Sequence, residues 1–321
     1  MQEEPLFSAY RYRLYPSSVQ EMRLKRSLHA LCELYNILRA EKIHQYQQHR
    51  KSLSRTELRS LALQIRRNNP ELRAVYSQAE QNVADRVAIA FKNYFHGRAR
   101  FPRSKRFKDY RSFTYTQSGF KLENKRLVLS KIGNVRIFLH RPLQGTVHRL
   151  TIKYAVGKWY AILLTNRTEP VKLVINHVAN DKVRGGDLGL EQFVTLDNGE
   201  SVQYPKFLRA SLEKIKCLQR RLARKRKGSR RRRALAWQLA KLHMHVACQR
   251  EDWQNKLINA IFKECDVLVL EKLNVAGMLR NHQLAKAISD SSWSQFALRC
   301  MRKADMLGKH VVFIDPYGTS Q

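Results

Sequence analysis

Val183-Arg-Gly-Gly-Asp-Leu-Gly-Leu190 is a short apolar and glycine-rich run that carries one acid, and Cys265-Asp-Val-Leu-Val-Leu-Glu271 is an almost continuously apolar run that ends in another. The second has the length and β-branched content of a buried central strand. The first leads into Phe193-Val-Thr-Leu196, Asp197-Asn198-Gly199 and Ser201-Val-Gln203, which reads as strand, two-residue hairpin turn, strand. An aspartate on an apolar strand beside two flexible glycines is costly unless a cation or hydrogen bonds offset its desolvation. On neighbouring strands of one sheet, Asp187 and Glu271 would converge at one edge, an arrangement that binds divalent cations for phosphodiester hydrolysis. Each acid also has a plainer reading. Asp187 can accept backbone N–H bonds from the glycine-rich turn, and Glu271 can be a solvated strand end. Spacing alone leaves both readings open.

Between these strands, Leu208, Leu212, Ile215, Leu218 and Leu222 mark one helix face. The densely positive run Arg220-Arg-Leu-Ala-Arg-Lys-Arg-Lys-Gly-Ser-Arg-Arg-Arg-Arg233 follows. Gly228-Ser229 is expected to break the helix into a hairpin whose second arm carries Leu235, Leu239, Leu242, Val246, Trp253, Leu257 and Ile261. The alternative for the basic run is a solvated face, but its self-repulsion favours a phosphate partner. Arg220, Arg224, Arg226, Lys227, Arg230, Arg231, Arg232 and Arg233 are therefore candidate nucleic-acid contacts.

The N-terminal half begins with a period-2 strand, Tyr10, Tyr12 and Leu14 on one side and Arg11 and Arg13 on the other, broken at Pro16. Ser18 with Glu21 predicts a capping box for a helix along Leu24, Leu28, Leu31, Tyr35 and Leu38. Ser54 with Glu57 predicts another, through Leu58, Leu61 and Ile65 to Pro70. A third helix carries Val83, Val87, Ala90, Phe91 and Tyr94. The loop Gly97-Arg-Ala-Arg-Phe-Pro-Arg-Ser-Lys-Arg-Phe-Lys108 interleaves rings and cations. Arg100, Lys105 and Arg106 can meet phosphates while Phe101 and Phe107 offer ring faces to bases, or both phenylalanines can be buried with only the charges outside. From Ser112 to about Leu164, short β-branched and aromatic runs separated by turns suggest a small β-barrel that the Tyr10–Leu14 strand completes.

Against 43% hydrophobic residues and few Gly and Pro, 61 Lys+Arg face 26 Asp+Glu, a net charge of +35. That imbalance points to a polyanion. A membrane is the weaker candidate, because no basic run is followed by a broad apolar face or a long apolar span. Met1 to Phe7 has no secretory signal, so a cytoplasmic location is expected. The five cysteines are far apart, as expected of reduced core thiols, and His243 and His245 read as surface residues rather than zinc ligands.

Gly185-Gly-Asp-Leu-Gly-Leu190, the basic hairpin ending in Gly228-Ser229-Arg230, Arg250-Glu-Asp252, Val269-Leu-Glu-Lys-Leu-Asn-Val275 and Asp290 to Trp293 together resemble the OrfB/TnpB proteins of small bacterial insertion sequences. In the other half, Tyr10-Arg-Tyr-Arg-Leu-Tyr-Pro16, Ala90-Phe-Lys-Asn-Tyr-Phe95 and Phe101-Pro-Arg-Ser-Lys105 agree, so the resemblance covers nearly the whole chain. It implies an α+β and α/β multidomain fold: a β-barrel wedge domain (1–16 plus 110–180), a helical recognition insert (17–109) and an RNase H-like, RuvC-type nuclease domain (181–321). It also implies a relative of type V CRISPR effectors that uses a transposon-encoded guide RNA to cut target DNA with magnesium, Asp187 and Glu271 being its first two catalytic acids and metal ligands. The family pattern continues into a four-cysteine zinc ribbon and a helix with a third acid, whereas this sequence stops at Gln321. Two acids and no zinc are thus expected here, with Asp315 expected to be structural. Three functions compete: a guided endonuclease, a catalytically impaired RNA- and DNA-binding relative, and a transposase acting directly on DNA.

Overall fold

The computed structural model describes residues 6–167, 175 and 178–315. Residues 1–5, most of the join at 168–177 and the tail 316–321 lie outside them, and with them part of the N-terminus read above for a secretory signal. The chain divides near residue 168 into two compact units.

The first unit is built on β1 (Leu6–Tyr15), whose alternation holds: Tyr10, Tyr12 and Leu14 are buried, while Arg11 is exposed and Arg13 half-buried. Period-2 burial fits a strand with one solvated face. β1 pairs with β5 (Gly133–Phe138) on one side and β7 (Lys158–Arg167) on the other. With β2 (Ser112–Tyr115), β3 (Phe120–Glu123), β4 (Arg126–Leu129) and β6 (Thr146–Ala155) they form a seven-stranded sheet, order β2-β6-β7-β1-β5-β4-β3, in which every pairing is antiparallel. The sheet curls so far that Tyr115 on one edge strand meets Phe120 on the other, ring centroids 6.3 Å apart, and the Tyr115 hydroxyl donates to the Ser130 carbonyl at 3.1 Å.

Between β1 and β2 the chain makes α1 (Ser18–His49), α2 (Arg55–Asn68), the single turn α3 (Pro70–Arg73) and α4 (Ser77–Phe95). The capping box of α1 uses Ser17 and Gln20, not Ser18 and Glu21: the Gln20 N–H donates to Ser17 Oγ at 3.3 Å and the Ser17 N–H to Gln20 Oε1 at 3.0 Å. One residue earlier, the reciprocal pair still satisfies two orphan donors. That frees Glu21 to accept from Trp159 Nε1 at 3.4 Å and to pair with Lys25 at 2.8 Å. The Ser54–Glu57 box forms as predicted. Asp85, buried on α4, takes bidentate bonds of 2.6–2.8 Å from both Arg55 and Arg59 on α2, which locks the two helices together.

The second unit carries a five-stranded sheet, order β10-β9-β8-β11-β12, from β8 (Val183–Asp187), β9 (Gln192–Leu196), β10 (Ser201–Gln203), β11 (Val267–Glu271) and β12 (His310–Ile314). β9 runs antiparallel to both β10 and β8, whereas β8, β11 and β12 are mutually parallel. The hairpin between β9 and β10 has a three-residue loop, Asp197-Asn198-Gly199, rather than the predicted two: Leu196 N–H donates to Glu200 O, Gly199 N–H to Leu196 O, and Gly199 adopts φ +84°. A turn followed by a left-handed glycine is the usual three-residue solution. Helices α5 (Phe207–Ala223) and α6 (Arg230–Glu264) form the expected hairpin, and α7 (Val275–Met278), α8 (Ala285–Ser291) and α9 (Trp293–Leu307) complete the unit. Phe193, fully buried, packs edge-on to Trp253 and Phe296 with ring centroids 4.8 and 5.0 Å away. Lys309 Nζ caps the end of α6 by donating to the Phe262 and Cys265 carbonyls.

Of the five cysteines, Cys32, Cys265 and Cys300 are buried, but Cys217 and Cys248 are exposed, so the expectation of core thiols holds for three. Burial pushes the Cys265 thiol up to about 11. His243 and His245 are exposed, as expected. No helix among the described residues is long and apolar enough to cross a membrane.

Candidate active site and nucleic-acid interface

The register of the parallel pair fixes the two acids. Val267, Leu268, Val269 and Leu270 lie opposite Val183, Arg184, Gly185 and Gly186, so the next step along both strands sets Glu271 opposite Asp187. Opposed residues of a parallel pair point to the same face, and adjacent strands lie about 4.8 Å apart. Both carboxylates thus share one face at the carboxyl end of the parallel strands. β12 continues the row with Ile314 opposite Glu271, and exposed Asp315 follows one residue later.

Neither glycine before Asp187 has positive φ, and only Gly186 is short of space, since a Cβ on Gly185 would meet Asp197 at an ordinary 3.7 Å. A Cβ on buried Gly186 would stand 3.2 Å from both Leu270 Cδ2 and Val194 Cγ2, so these side chains would have to give by a few tenths of an ångström. The alternative in which Asp187 accepts bonds from the glycine-rich turn belongs instead to Asp197, whose Oδ2 takes the Gly185 N–H at 2.9 Å. Asp187 is exposed and makes no hydrogen bond or ion pair among the described residues, while Glu271 is half-buried. Two carboxylates are hard oxygen donors suited to magnesium. Among the described residues no three or more His, Cys, Asp or Glu side chains gather into a potential metal cluster.

The same unit holds a polar knot that joins Asp290 and Arg250, both within the quoted motifs, to Tyr204, which lies outside them. Buried Asp290 on α8 accepts at Oδ1 from the Tyr204 hydroxyl (3.0 Å), the Leu208 N–H (3.3 Å) and Arg250 Nη2 (3.0 Å). Burial, more than the opposing bond from Arg250, pushes the Tyr204 phenol up to about 12, so it remains a donor. The knot ties α5, α6 and α8 to the segment after β10. Its acid and its arginine stand 40 residues apart in sequence, a separation that carries no periodic signal.

The basic hairpin presents its charge outward. Arg220, Arg224, Arg226, Lys227, Arg230, Arg231 and Arg233 are exposed. Arg232 differs: half-buried, it donates from Nη1 to the Leu222 carbonyl at 2.5 Å and the Lys225 carbonyl at 3.1 Å, and its N–H is capped by Ser229 Oγ. It holds the turn shut.

In the first unit, the loop at 97–109 is ordered by α1. Asn36 pairs with the Lys105 backbone in both directions, at 2.9 and 2.8 Å, and Arg39 Nε donates to Pro102 O at 2.8 Å. These clamps are polar residues on a helix surface, which sequence reading does not separate from solvated ones. The alternatives for the phenylalanines resolve midway: Phe101 and Phe107 are 44% and 45% exposed, Phe101 resting edge-on against Phe91 and Tyr94. Arg100 and Lys105 are exposed around a cavity of about 440 Å³, whereas Arg106 is engaged by Asp109 at 2.7 Å.

With this geometry in view, residues 166–282 match the OrfB/IS605 family profile, described as a probable transposase, and residues 7–51 match its companion, described as a helix-turn-helix domain. In this structure 7–51 holds one strand and one 32-residue helix instead. The chain is 30% identical over 315 residues to a provisionally named RNA-guided DNA endonuclease of Streptomyces pristinaespiralis, spanning 96% of this chain and 77% of the relative. It is 27% identical over 332 residues to InsQ of Escherichia coli (strain K12), which bears the same provisional name, spanning 98% and 81%. Among solved structures, the cryo-EM structure of a Cas12f1–sgRNA–target DNA complex shares its fold with TM-score 0.61 at 8% identity, covering 98% of this chain and 90% of that one. The chain belongs to the OrfB/TnpB family of insertion-sequence transposase-type proteins, together with relatives named for RNA-guided DNA cleavage.

Proposed function

We propose that the protein binds a guide RNA and its DNA target and that its second unit is a RuvC-type, RNase H-like nuclease domain, with Asp187 and Glu271 as catalytic metal ligands. The observation that supports this reading is the parallel β8–β11 register, which runs to Leu270 opposite Gly186 and, continued by one residue, would bring the two acids side by side. The names of the relatives support the RNA and DNA partners. In the first unit, the curled sheet is the wedge domain (1–16 plus 110–180) and the inserted helices (17–109) the recognition domain. The division near residue 168 supports a boundary close to the expected one.

A divalent cation held there supplies the charge that activates water and stabilises the leaving oxygen of a phosphodiester. The protein's own groups do the rest. Asp187, uncommitted to other bonds, offers its carboxylate, and Gly186 lets β8 pack close enough to β11 to bring Glu271 alongside. The α5–α6 hairpin and the 97–109 loop hold phosphates, and the exposed part of Phe101 offers a ring to a base.

A second reading, nucleic-acid binding without cutting, draws on the exposed cations of the α5–α6 hairpin, which can hold phosphates whether or not the acids hold a metal. Purified protein with guide RNA, matching DNA and magnesium separates the readings. Cleavage that disappears in Asp187→Ala while RNA binding persists supports the nuclease. Retained RNA binding with no cleavage by the wild-type protein supports the second reading. Cleavage untouched by Asp187→Ala removes the site assignment.

A further inference from the structure

The outer face of the seven-stranded sheet carries a pattern that neither the acids nor the basic hairpin uses. Registers across four strands place Lys153 on β6, Tyr160 on β7, Arg13 on β1 and Phe138 on β5 in one row: cation, ring, cation, ring. Two residues along, about 6.6 Å away, a second row sets Tyr15 beside Arg136 and Arg136 beside Arg126. The rows are cross-linked by stacking. The Arg13 guanidinium lies 5.3 Å from the Tyr15 ring and 5.4 Å from Tyr160, Arg11 lies 5.8 Å from Tyr160, and Arg136 lies 5.8 Å from Tyr15. Tyr160 thus fixes two guanidiniums in place, while Tyr15, beside Arg13 and Arg136, and Phe138, stacked on His140 with centroids 6.3 Å apart, still leave 51% and 57% of their surface to solvent. Six of the seven strands contain no Asp or Glu; the exception is Glu123 on the edge strand β3, paired with Lys121.

An exposed ring is ordinary, but rings spaced between fixed cations on strands that carry no acid need a partner that offers both planar groups and anions. A single-stranded nucleic acid does so. Its unpaired bases stack on aromatic rings while its backbone follows the positive charge. A duplex keeps its base faces stacked inside and leaves Tyr15 and Phe138 without a use, and an apolar protein face would strand the arginines. We propose that this sheet face is a platform for a single-stranded stretch of nucleic acid, with bases on Tyr15 and Phe138 and phosphates at Arg136 and Arg126. The inference rests on the nucleic-acid-binding part of the reading above, not on cleavage.

The test uses the whole protein, labelled oligo(U) and oligo(dT) single strands, and blunt duplexes of both chemistries. Tyr15→Leu and Phe138→Leu are each expected to weaken single-strand binding about five- to a hundredfold and to leave duplex binding nearly unchanged, with an unaltered melting temperature. Phe138→Trp reports directly, its fluorescence being quenched by single strands and not by duplexes, and it carries the test should the leucine variants not fold. Stronger quenching by oligo(U) assigns the platform to RNA and by oligo(dT) to DNA; either supports it. Wild-type single-strand affinity in folded leucine variants overturns the platform alone, as does an unquenched indole signal from the Phe138→Trp protein while duplex or guide RNA still binds. Binding to no nucleic acid at all overturns it together with the proposed function.

Discussion

Asp187 and Asp85 are both carboxylates on secondary-structure elements, and their surroundings give them opposite uses. Asp85 is buried, which by itself raises its pKa, but hydrogen bonds from Arg55 and Arg59 outweigh that and hold it at about 2. A carboxyl depressed in the folded state contributes stability above its unfolded pKa near 4 and loses it as pH falls toward about 2. Asp85→Asn should therefore lower stability at neutral pH by on the order of 1–2 kcal/mol, part of the pair being solvent-screened because Arg55 is largely exposed. The gap between variant and wild type should close as pH is lowered through that window. Thermal melts at stepped pH check this; a gap that stays constant removes the linkage. Asp187 has no such partners among the described residues, so Asp187→Ala should leave the melting temperature within about 1 °C while abolishing metal-dependent cleavage. Differential scanning of both variants separates the structural acid from the chemical one. The sequence distinguished these two acids only in part. Asp187 announced itself by sitting in an apolar, glycine-rich strand, whereas Asp85 lay in an ordinary amphipathic helix whose partners are 26 and 30 residues away.

At the scale of elements, what had a local cause was legible. β1 showed its period of two, α2 its Ser54–Glu57 box, and the α5–α6 break its Ser229 cap. What depended on competition between neighbours was not. Ser17 and Ser18 are both good caps, and the choice of Ser17 follows from Gln20, which caps locally and also donates to Asn134 O at 2.8 Å. The Asp197–Gly199 loop gained a residue because Glu200 pairs with Leu196, a tertiary register that dipeptide rules do not contain. The eight candidate cations of the basic hairpin looked alike in sequence, but the turn recruits Arg232 as a brace. This yields a split. Arg232→Ala should loosen the hairpin, lowering stability by about 1 kcal/mol through loss of its two hydrogen bonds across the turn, while the Leu222 carbonyl keeps the Lys225 N–H, with only a secondary effect on binding. Arg226→Ala with Arg230→Ala should leave stability unchanged and reduce the slope of log Kd against log salt by about 1 for each phosphate that is no longer neutralised. Melting curves together with binding titrations over a salt series decide it; equal effects of the two substitutions in both assays would remove the distinction.

Across the whole molecule, +35 formal charges impose a cost on the isolated chain, because like charges repel whether or not their side chains are well packed. The sheet face, the 97–109 loop and the α5–α6 hairpin each add to it, and few carboxylates lie near enough to neutralise them. Salt therefore acts with opposite signs on the free and the bound protein. Without nucleic acid, raising salt screens the self-repulsion over a Debye length that falls from about 30 Å at 0.01 M to about 10 Å at 0.1 M, so the melting temperature should rise. With guide RNA or another single strand at about a hundredfold excess over its Kd, binding adds about 2.7 kcal/mol of stability at low salt by mass action. That increment should shrink as salt weakens the phosphate contacts, so the melting temperature of the complex falls along the same axis and the two curves converge. Scanning calorimetry with and without RNA, from low to moderate salt, measures both slopes. A free protein whose melting temperature does not change with salt would mean that its cations are already compensated internally, and the argument from charge to a polyanionic partner would lose its physical basis even if the family assignment stood.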